Sequence, residues 1–160
     1  MADLFSLDGH TFLAYADRFS GWLEVERLPT NSFRHVRSAL LRWFCIYGVP
    51  VELSSDGGPP FNSFDFKRFL HAWDVNWRLS SAYFAQSNGR AEAAVKSAKR
   101  ILLGNISPTT GALDTDGASR AIMNHRNTPS QGTSIPPSVF LFGQVLHDHL
   151  PQWSRQLRPE

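Results

Sequence analysis

The chain has 160 residues, a length that fits one globular domain. Hydrophobic residues make up 42% of it and aromatic residues 12%, which is enough apolar material for a packed core and excludes a disordered chain. A net charge of +2 permits nucleic-acid binding without requiring it. The single cysteine, Cys45, excludes an internal disulfide framework, and the histidines have no zinc-site spacing.

The sequence also lacks the patterns of a secreted or membrane-spanning chain. Residues 1–7 have neither the basic start nor the long apolar run of a signal peptide. No stretch approaches the ~18 apolar residues of a membrane span. We therefore expect a soluble, intracellular protein without a membrane partner.

Three strands are predicted at the start of the chain. Residues 2–7 are short and apolar, residues 11–17 follow a turn at Asp8-Gly9, and residues 21–28 alternate with a period of two. Their connections are only a few residues long, so an antiparallel meander is expected.

The apolar period then becomes that of helices separated by strands. Ser32 is predicted to cap a helix that ends at about Tyr47, and Ser63 is predicted to cap a second helix. The later helices are predicted at 90–103, from Asp114 to about Arg126, and from Pro136 to Gly143, and the further strands at 49–54 and 75–79. This order predicts an α/β fold with a mixed sheet and flanking helices.

Three acidic residues are candidates for a divalent-metal site. Asp3 lies on the first predicted strand, Asp56 follows the fourth, and Glu92 lies in the first turn of a helix. Two-metal phosphoryl transfer needs converging carboxylates, because hard divalent cations prefer oxygen ligands. Spacing alone leaves other interpretations open. Asp56 precedes two glycines and could be a turn residue, and Glu92 could be an ordinary first-turn glutamate that interacts with the helix dipole.

Asp8 and Asp17 compete with Asp3 for the first position in this set. Asp8 precedes Gly9 and is typical of a turn residue. Asp17 ends the second predicted strand, where a structural hydrogen bond is the simpler role.

Motifs around these acids resemble those of retroviral and retrotransposon integrase catalytic cores. Residues 54–61 (SSDGGPPF) resemble the second-aspartate motif of the family, and residues 83–92 (YFAQSNGRAE) its flexible loop and catalytic glutamate. The 35 residues between Asp56 and Glu92 match the spacing of the D,D-35-E signature.

Further motifs extend the resemblance in both directions. Asp3 and residues 17–24 (DRFSGWLE) match the first two strands of the family, which selects Asp3 as the first metal ligand. Residues 125–128 (HRNT) and 136–143 (PPSVFLFG) resemble the gypsy-type branch of long-terminal-repeat elements. The resemblance covers about residues 2–151.

The resemblance implies an RNase H-like domain, a five-stranded mixed sheet flanked by helices, over residues 1–145, with a C-terminal tail at 146–160. It implies an integrase: a polynucleotidyl transferase and nuclease that trims the 3′ ends of element DNA and joins them to target DNA. Two Mg²⁺ or Mn²⁺ ions would be held by Asp3, Asp56 and Glu92. The implied partners are DNA and further copies of the chain, as a homodimer or higher oligomer, and the implied location is the nucleus.

Residues that bind DNA are also implied. Glu92, Lys96 and Lys99 are spaced i, i+4 and i+7 on one helix face, as either a salt-bridged surface stripe or a phosphate track. The resemblance favours the track, whereas Arg90 fits a DNA contact or a surface residue equally well. The DNA-binding residues implied are Tyr83, Asn88, Arg90, Lys96 and Lys99.

Two departures from the family keep a second function open. Phe84-Ala85 stands where the family usually has a polar residue and a proline, which should loosen the loop before Glu92. Asp3 is close to the first residue, and the resemblance does not extend to the zinc-binding N-terminal or the C-terminal DNA-binding domain of the family. The alternative is a domesticated, inactive module that binds nucleic acid or protein, although the three acids favour the enzyme.

Self-association is expected through helical faces, because cyclic dimers are the commonest oligomers and two DNA ends must be joined together. The apolar residues Ile122, Phe140 and Phe142 lie on short predicted helices that one small sheet need not cover. The alternative, that these side chains complete the core of one chain, stays open at this point.

Overall fold

The computed structural model describes residues 1–80, 89–130 and 132–148. The strands are β1 (Ala2–Leu7), β2 (His10–Ala16), β3 (Leu23–Leu28), β4 (Glu52–Ser55) and β5 (Asn76–Leu79). The helices are α1 (Phe33–Tyr47), α2 (Phe64–Ala72), α3 (Gly89–Gly104), α4 (Thr115–Arg126) and α5 (Pro137–Phe142). The predicted α/β class and element order are confirmed. Throughout the described ranges, no helix has the length and apolar character needed to cross a membrane.

The chain forms two compact units. The first unit comprises Met1–Tyr15 and Glu24–Asn88, and the second comprises Ala16–Leu23 and Gly89–Glu160. The first therefore carries most of the strands with α1 and α2, and the second carries α3, α4 and α5.

Hydrogen bonding groups the strands differently from the single five-stranded sheet that was expected. One sheet has the order β1-β2-β3, and β4 pairs with β5 in a second sheet. β1 and β2 are antiparallel, with Asp3 opposite Ala14, whereas β4 and β5 are parallel, with Leu53 opposite Trp77. The parallel sheet is small because β4 and β5 have four residues each. β1 also lies beside β4 within the first unit.

The hydrophobic core of the first unit joins the strands to α1 and α2. Its fully buried large side chains are Leu13, Val36, Leu40, Leu53, Phe61, Phe66 and Leu70. Each such side chain contributes roughly 1.5–3 kcal/mol by leaving water. Ala2 belongs to this core and Leu4 packs against it, so the intervening Asp3 lies on the opposite face of β1.

The second unit is built around α3 and α4, which pack together, and α5 contacts α4. α3 buries Ala91, Ala94, Val95, Ala98 and Leu102. Three of these five side chains are alanines, and such small side chains let a neighbouring helix approach closely.

Two residues at the end of α4 tie other segments of the second unit to it. The Arg126 guanidinium lies 4.3 Å from the centroid of the Trp22 ring, and its Nε and Nη2 donate to the Leu23 carbonyl at 3.1 and 2.8 Å. Asn127 Nδ2 donates to the Leu146 carbonyl at 2.8 Å, and Asn127 Oδ1 accepts from Leu146 N at 2.8 Å and Ser138 Oγ at 3.0 Å. These bonds hold the loop before β3 and the segment after α5 against α4.

His125 lies beside these two residues in an environment that disfavours its charged form. Burial lowers the pKa of His125, a hydrogen bond to the Gly21 backbone opposes this, and the Arg126 and Arg100 guanidiniums add to the lowering. In the described part of the chain, the buried Nε2 of His125 has no hydrogen-bond partner. The folded protein therefore favours the neutral imidazole.

Ser32 and Ser63 both precede a helix, as predicted, but only one of them caps it with its side chain. Ser63 Oγ accepts a hydrogen bond from Phe66 N at 3.1 Å. Ser32 makes no capping bond with its side chain, and its Oγ lies 3.0 Å from Thr30 Oγ1 and 3.3 Å from His35 Nδ1. Asp114 caps α4 with its side chain, as Ser63 caps α2, because its carboxylate accepts a hydrogen bond from a backbone N–H of α4.

Replacing Ser63 with Ala should lower the free energy of unfolding by about 1 kcal/mol, because the Phe66 N–H loses its acceptor. Ser32→Ala is the matched control and should cost much less, since no helical N–H depends on that hydroxyl. Urea unfolding of the parent and both variants measures the difference. Equal losses in the two variants would contradict this account of the caps.

Protonation of His125 should destabilise the fold. Its pKa is lowered in the folded state, so the unfolded chain binds the proton first as the pH falls through about 6.5. Its contribution to stability is therefore complete above that pH and is lost below it, toward the folded-state pKa. His125→Asn should remove part of the fall in unfolding free energy between about pH 7 and pH 5. The control is His71→Asn, at an exposed position of α2, and the same pH dependence in parent and His125→Asn would count against this role.

Candidate metal and nucleic-acid site

Asp56 directly follows β4 and is held in a tight turn. Its Oδ1 accepts a hydrogen bond from Gly58 N at 3.0 Å, and its side chain is exposed. A Cβ added to Gly58 would lie 3.3 Å from that oxygen, and one added to Gly57 would lie 3.2 Å from a methyl carbon of Leu79. The turn interpretation is thus correct, but it does not exclude a metal role, because Gly58 engages one carboxylate oxygen and a second is present.

The end of β4, immediately before Asp56, is anchored by its neighbours. Ser55 Oγ accepts from Trp77 Nε1 at 2.8 Å and donates to the Asp56 carbonyl at 3.0 Å. The Ser55 carbonyl accepts from Ser80 N at 2.7 Å, directly after β5. Ser55 is buried, so these bonds hold the backbone at Asp56 in one position.

Asp3 is half-exposed on β1, on the face away from the core of the first unit. β1 lies beside β4, and Asp56 directly follows β4, so Asp3 is on the strand next to the one that leads into Asp56. Asp8 and Asp17, the competitors of Asp3, serve local turns. Asp8 has a φ of 48° in the turn after β1, and Asp17 Oδ2 accepts from Ser20 N and Ser20 Oγ at 2.8 and 2.5 Å.

Glu92 lies in the first turn of α3 and is half-exposed. At 3.6 residues per turn, Glu92, Lys96 and Lys99 form a stripe beside the buried face of the helix. Lys96 is exposed and Lys99 is half-exposed, so the stripe leads from a carboxylate to two cations. The rise of the helix makes this stripe about 10 Å long, enough to follow successive phosphates of a DNA strand.

Arg90 has a structural role that the sequence did not reveal. Its Nη1 donates to the Phe19 carbonyl at 2.7 Å, and its guanidinium lies 5.7 Å from the centroid of the Phe140 ring. The guanidinium has further donors, so a DNA contact stays a prediction. The other two loop predictions, Tyr83 and Asn88, lie outside the described residues.

The three candidate carboxylates suit magnesium or manganese by their chemistry, because both ions take oxygen ligands. Each side chain is exposed or half-exposed, so each can exchange water for an ion. Asp3 and Asp56 lie in the first unit and Glu92 in the second. Among the residues that the structure describes, no cluster of three or more His, Cys, Asp or Glu side chains forms a ready metal site. The convergence of the three carboxylates therefore stays a prediction.

Comparisons with known proteins place the chain among retroviral sequences. The Pol polyprotein of feline endogenous virus ECE1 is 31% identical over 133 residues, which cover 82% of this chain and 12% of that polyprotein. The Gag-Pol polyprotein of baboon endogenous virus (strain M7) is 33% identical over 135 residues, with 82% and 8% covered. The chain thus spans about a tenth of the length of these relatives. No protein-family profile matches the chain.

Solved structures extend this relationship to the fold. The catalytic core domain of BIV integrase matches with a TM-score of 0.71 at 18% identity, over 89% of this chain and 91% of that chain. The simian T-cell lymphotropic virus intasome, in complex with PP2A regulatory subunit B56 gamma, contains a match with a TM-score of 0.69 at 16% identity, over 100% of this chain and 58% of that chain. The chain is therefore homologous to a segment of retroviral Pol polyproteins and has the fold of a retroviral integrase catalytic core.

Proposed function

We propose that this chain is an integrase catalytic core, a divalent-metal-dependent polynucleotidyl transferase. The observation that carries the proposal is the placement of Asp3 and Asp56. Asp3 lies on β1, on the face away from the hydrophobic core, and Asp56 directly follows β4, the strand beside β1 in the first unit. Homology to Pol polyproteins and the Asp56–Glu92 spacing support the same function.

The residues proposed to hold two Mg²⁺ or Mn²⁺ ions are Asp3, Asp56 and Glu92. When bound, such ions activate a water or hydroxyl nucleophile and stabilise the leaving oxygen of a phosphodiester. The hydrogen bonds of Ser55 position the backbone at Asp56. The bond from Arg90 to the Phe19 carbonyl restrains the first turn of α3, two residues before Glu92.

Two displacement reactions at phosphorus are proposed. In the first, water attacks a phosphodiester near the 3′ end of element DNA, the P–O bond to the 3′-oxygen breaks, and that oxygen leaves as a 3′-hydroxyl. In the second, this hydroxyl attacks a phosphodiester of target DNA, a new P–O bond forms to it, and the 3′-oxygen of the target strand leaves as a hydroxyl. Lys96 and Lys99 would bind phosphates of the same strand and so align it with the carboxylates.

The protein is proposed to act on chromosomal DNA in the nucleus as an assembly of two or more copies of the chain. The simian virus relative is part of an intasome, which supports a DNA-bound assembly here. Ile122 and Phe140 are half-buried in the second unit, whereas Phe142 is 54% exposed. Phe142 is therefore the member of this set available to a second copy in a twofold dimer.

Asp56→Asn should weaken Mn²⁺ binding at least about tenfold, because a direct ligand matters no less than the outer partners whose loss costs 10–100-fold. Asp3→Asn and Glu92→Gln should act in the same way. Thermal unfolding midpoints should not fall, because the proposed site would bring three carboxylates together, and removing one of them would then relieve repulsion in the metal-free protein. Calorimetric titration of each variant with Mn²⁺ gives the affinity.

The matched control for these titrations is Asp8→Asn. Asp8 is in the turn after β1 with a φ of 48°, a conformation that Asn adopts readily, so this variant should bind Mn²⁺ like the parent. The metal assignment fails if Asp56→Asn binds Mn²⁺ as tightly as the parent. A parent that binds DNA but not Mn²⁺ would identify the chain as a binding module.

Replacing Lys96 and Lys99 together with Glu should weaken DNA binding. It should also reduce the slope of log affinity against log salt by about 2, because two phosphate contacts are lost. The control carries the same charge change at exposed positions of α1 and α2, as Arg34→Glu with Arg68→Glu. Anisotropy titrations over a range of salt concentrations give the slopes, and equal slopes in the two double variants would favour the surface-stripe interpretation.

A further inference from the structure

The loop between β2 and β3 carries an exposed aromatic side chain, Phe19, on a hydrogen-bonded turn. Phe19 is 70% exposed. Asp17 N donates to the Trp22 carbonyl and Gly21 N to the Asp17 carbonyl, both at 2.9 Å. Asp17 Oδ2 also accepts from the backbone N and the Oγ of buried Ser20. The loop backbone is thus held by several hydrogen bonds while the Phe19 ring remains in solvent.

The ring and backbone of Phe19 are both tied to other parts of the second unit. The ring packs edge-on against Phe140, with the centroids 5.2 Å apart and the planes at 73°. The Phe19 carbonyl accepts from Arg90 Nη1 at 2.7 Å, and the same guanidinium lies over the Phe140 ring. Because Arg90 is two residues before Glu92, Phe19 has a defined place beside the start of α3.

We propose that Phe19 is a stacking platform for an unpaired base of the DNA substrate, an inference that rests on the proposed function. A planar ring with a free surface suits a base, because aromatic stacking binds every base through its π-face. A stacked base would also cover a large apolar side chain that is otherwise exposed to solvent.

Charge near Phe19 also favours a nucleic-acid strand over an apolar protein segment. Arg18 is exposed next to Phe19 in the chain, and Arg90 reaches the Phe19 backbone. The carboxylate of Asp17 accepts from Ser20 N and Ser20 Oγ, which hold it in the turn, and the two arginines outnumber it. An aromatic ring with neighbouring cations is the combination that single-stranded nucleic acid requires, one for the bases and the other for the phosphates.

The chemistry of the proposed reaction supplies such a base. Trimming the 3′ end of a duplex removes the partners of the last bases on the other strand, which therefore become an unpaired 5′ overhang. Unpaired bases leave the duplex stack at lower cost than paired ones, and Phe19 offers an aromatic surface near the start of the helix that carries Glu92.

The test uses the full chain and two DNA duplexes that differ only in a 5′ overhang of two nucleotides, one of them 2-aminopurine. We expect Phe19→Ala to lower the affinity for the overhang duplex about tenfold and to change the affinity for the blunt duplex less than about twofold. Quenching of 2-aminopurine by the parent should be lost in this variant. Phe19→Trp should retain both effects, and Phe19→Leu, which stays apolar without a ring, should behave like Phe19→Ala.

The matched control is Phe64→Ala, which removes a comparably exposed phenylalanine, 76% exposed, from the first unit. It should leave both affinities unchanged. The proposal that Phe19 is a stacking platform fails if the parent and Phe19→Leu bind the overhang duplex with equal affinity. It also fails if Phe19→Leu loses the same amount of affinity for both duplexes. A lowered sedimentation coefficient of Phe19→Leu without DNA would identify a second copy as the occupant and also overturn it. If the parent binds neither duplex, the proposed function fails. If the parent binds both duplexes and Phe19→Ala and Phe19→Leu bind them as the parent does, the platform alone fails.

Discussion

The alternation of side chains along β1 is the constraint on which the candidate site depends. Ala2 enters the core of the first unit and Leu4 packs against it, so Asp3 must lie on the other face of the strand. A shift of one residue in the pairing of β1 with β2 would exchange these faces and bury a carboxylate among apolar side chains. The burial of Leu13 and Leu53 in neighbouring strands opposes such a shift and so maintains the position of Asp3.

β4 shows a second way to position an acid, because Asp56 lies beyond the last strand residue. Two side-chain bonds of Ser55 and the bond from Gly58 N to Asp56 Oδ1 hold the chain there. One residue thus serves a turn and, in the proposed function, a metal site. The two roles are compatible because a carboxylate has more acceptor capacity than one N–H can use.

The second unit is also held together by polar bonds from arginine and asparagine side chains. Arg90, Arg126 and Asn127 each donate to a backbone carbonyl far away in the sequence. A backbone carbonyl in a loop needs a donor when it is partly buried, and a side chain that supplies one orders the loop. These bonds hold the loop before β3 and the segment after α5, and they place the exposed Phe19 ring near the start of α3.

The sequence by itself determined the order of the strands and helices, because periods of two and 3.6 residues depend on neighbours along the chain. It also identified the three acids, through motif resemblance and the 35-residue spacing, although spacing alone could not exclude Asp8 or Asp17. Only the tertiary structure decided that the strands group into two hydrogen-bonded sheets, that Ser63 and not Ser32 caps its helix through its side chain, and that Arg90 binds the Phe19 carbonyl. Arg90 and Phe19 are 71 residues apart, and no local pattern encodes a bond whose partners meet only when the chain has folded.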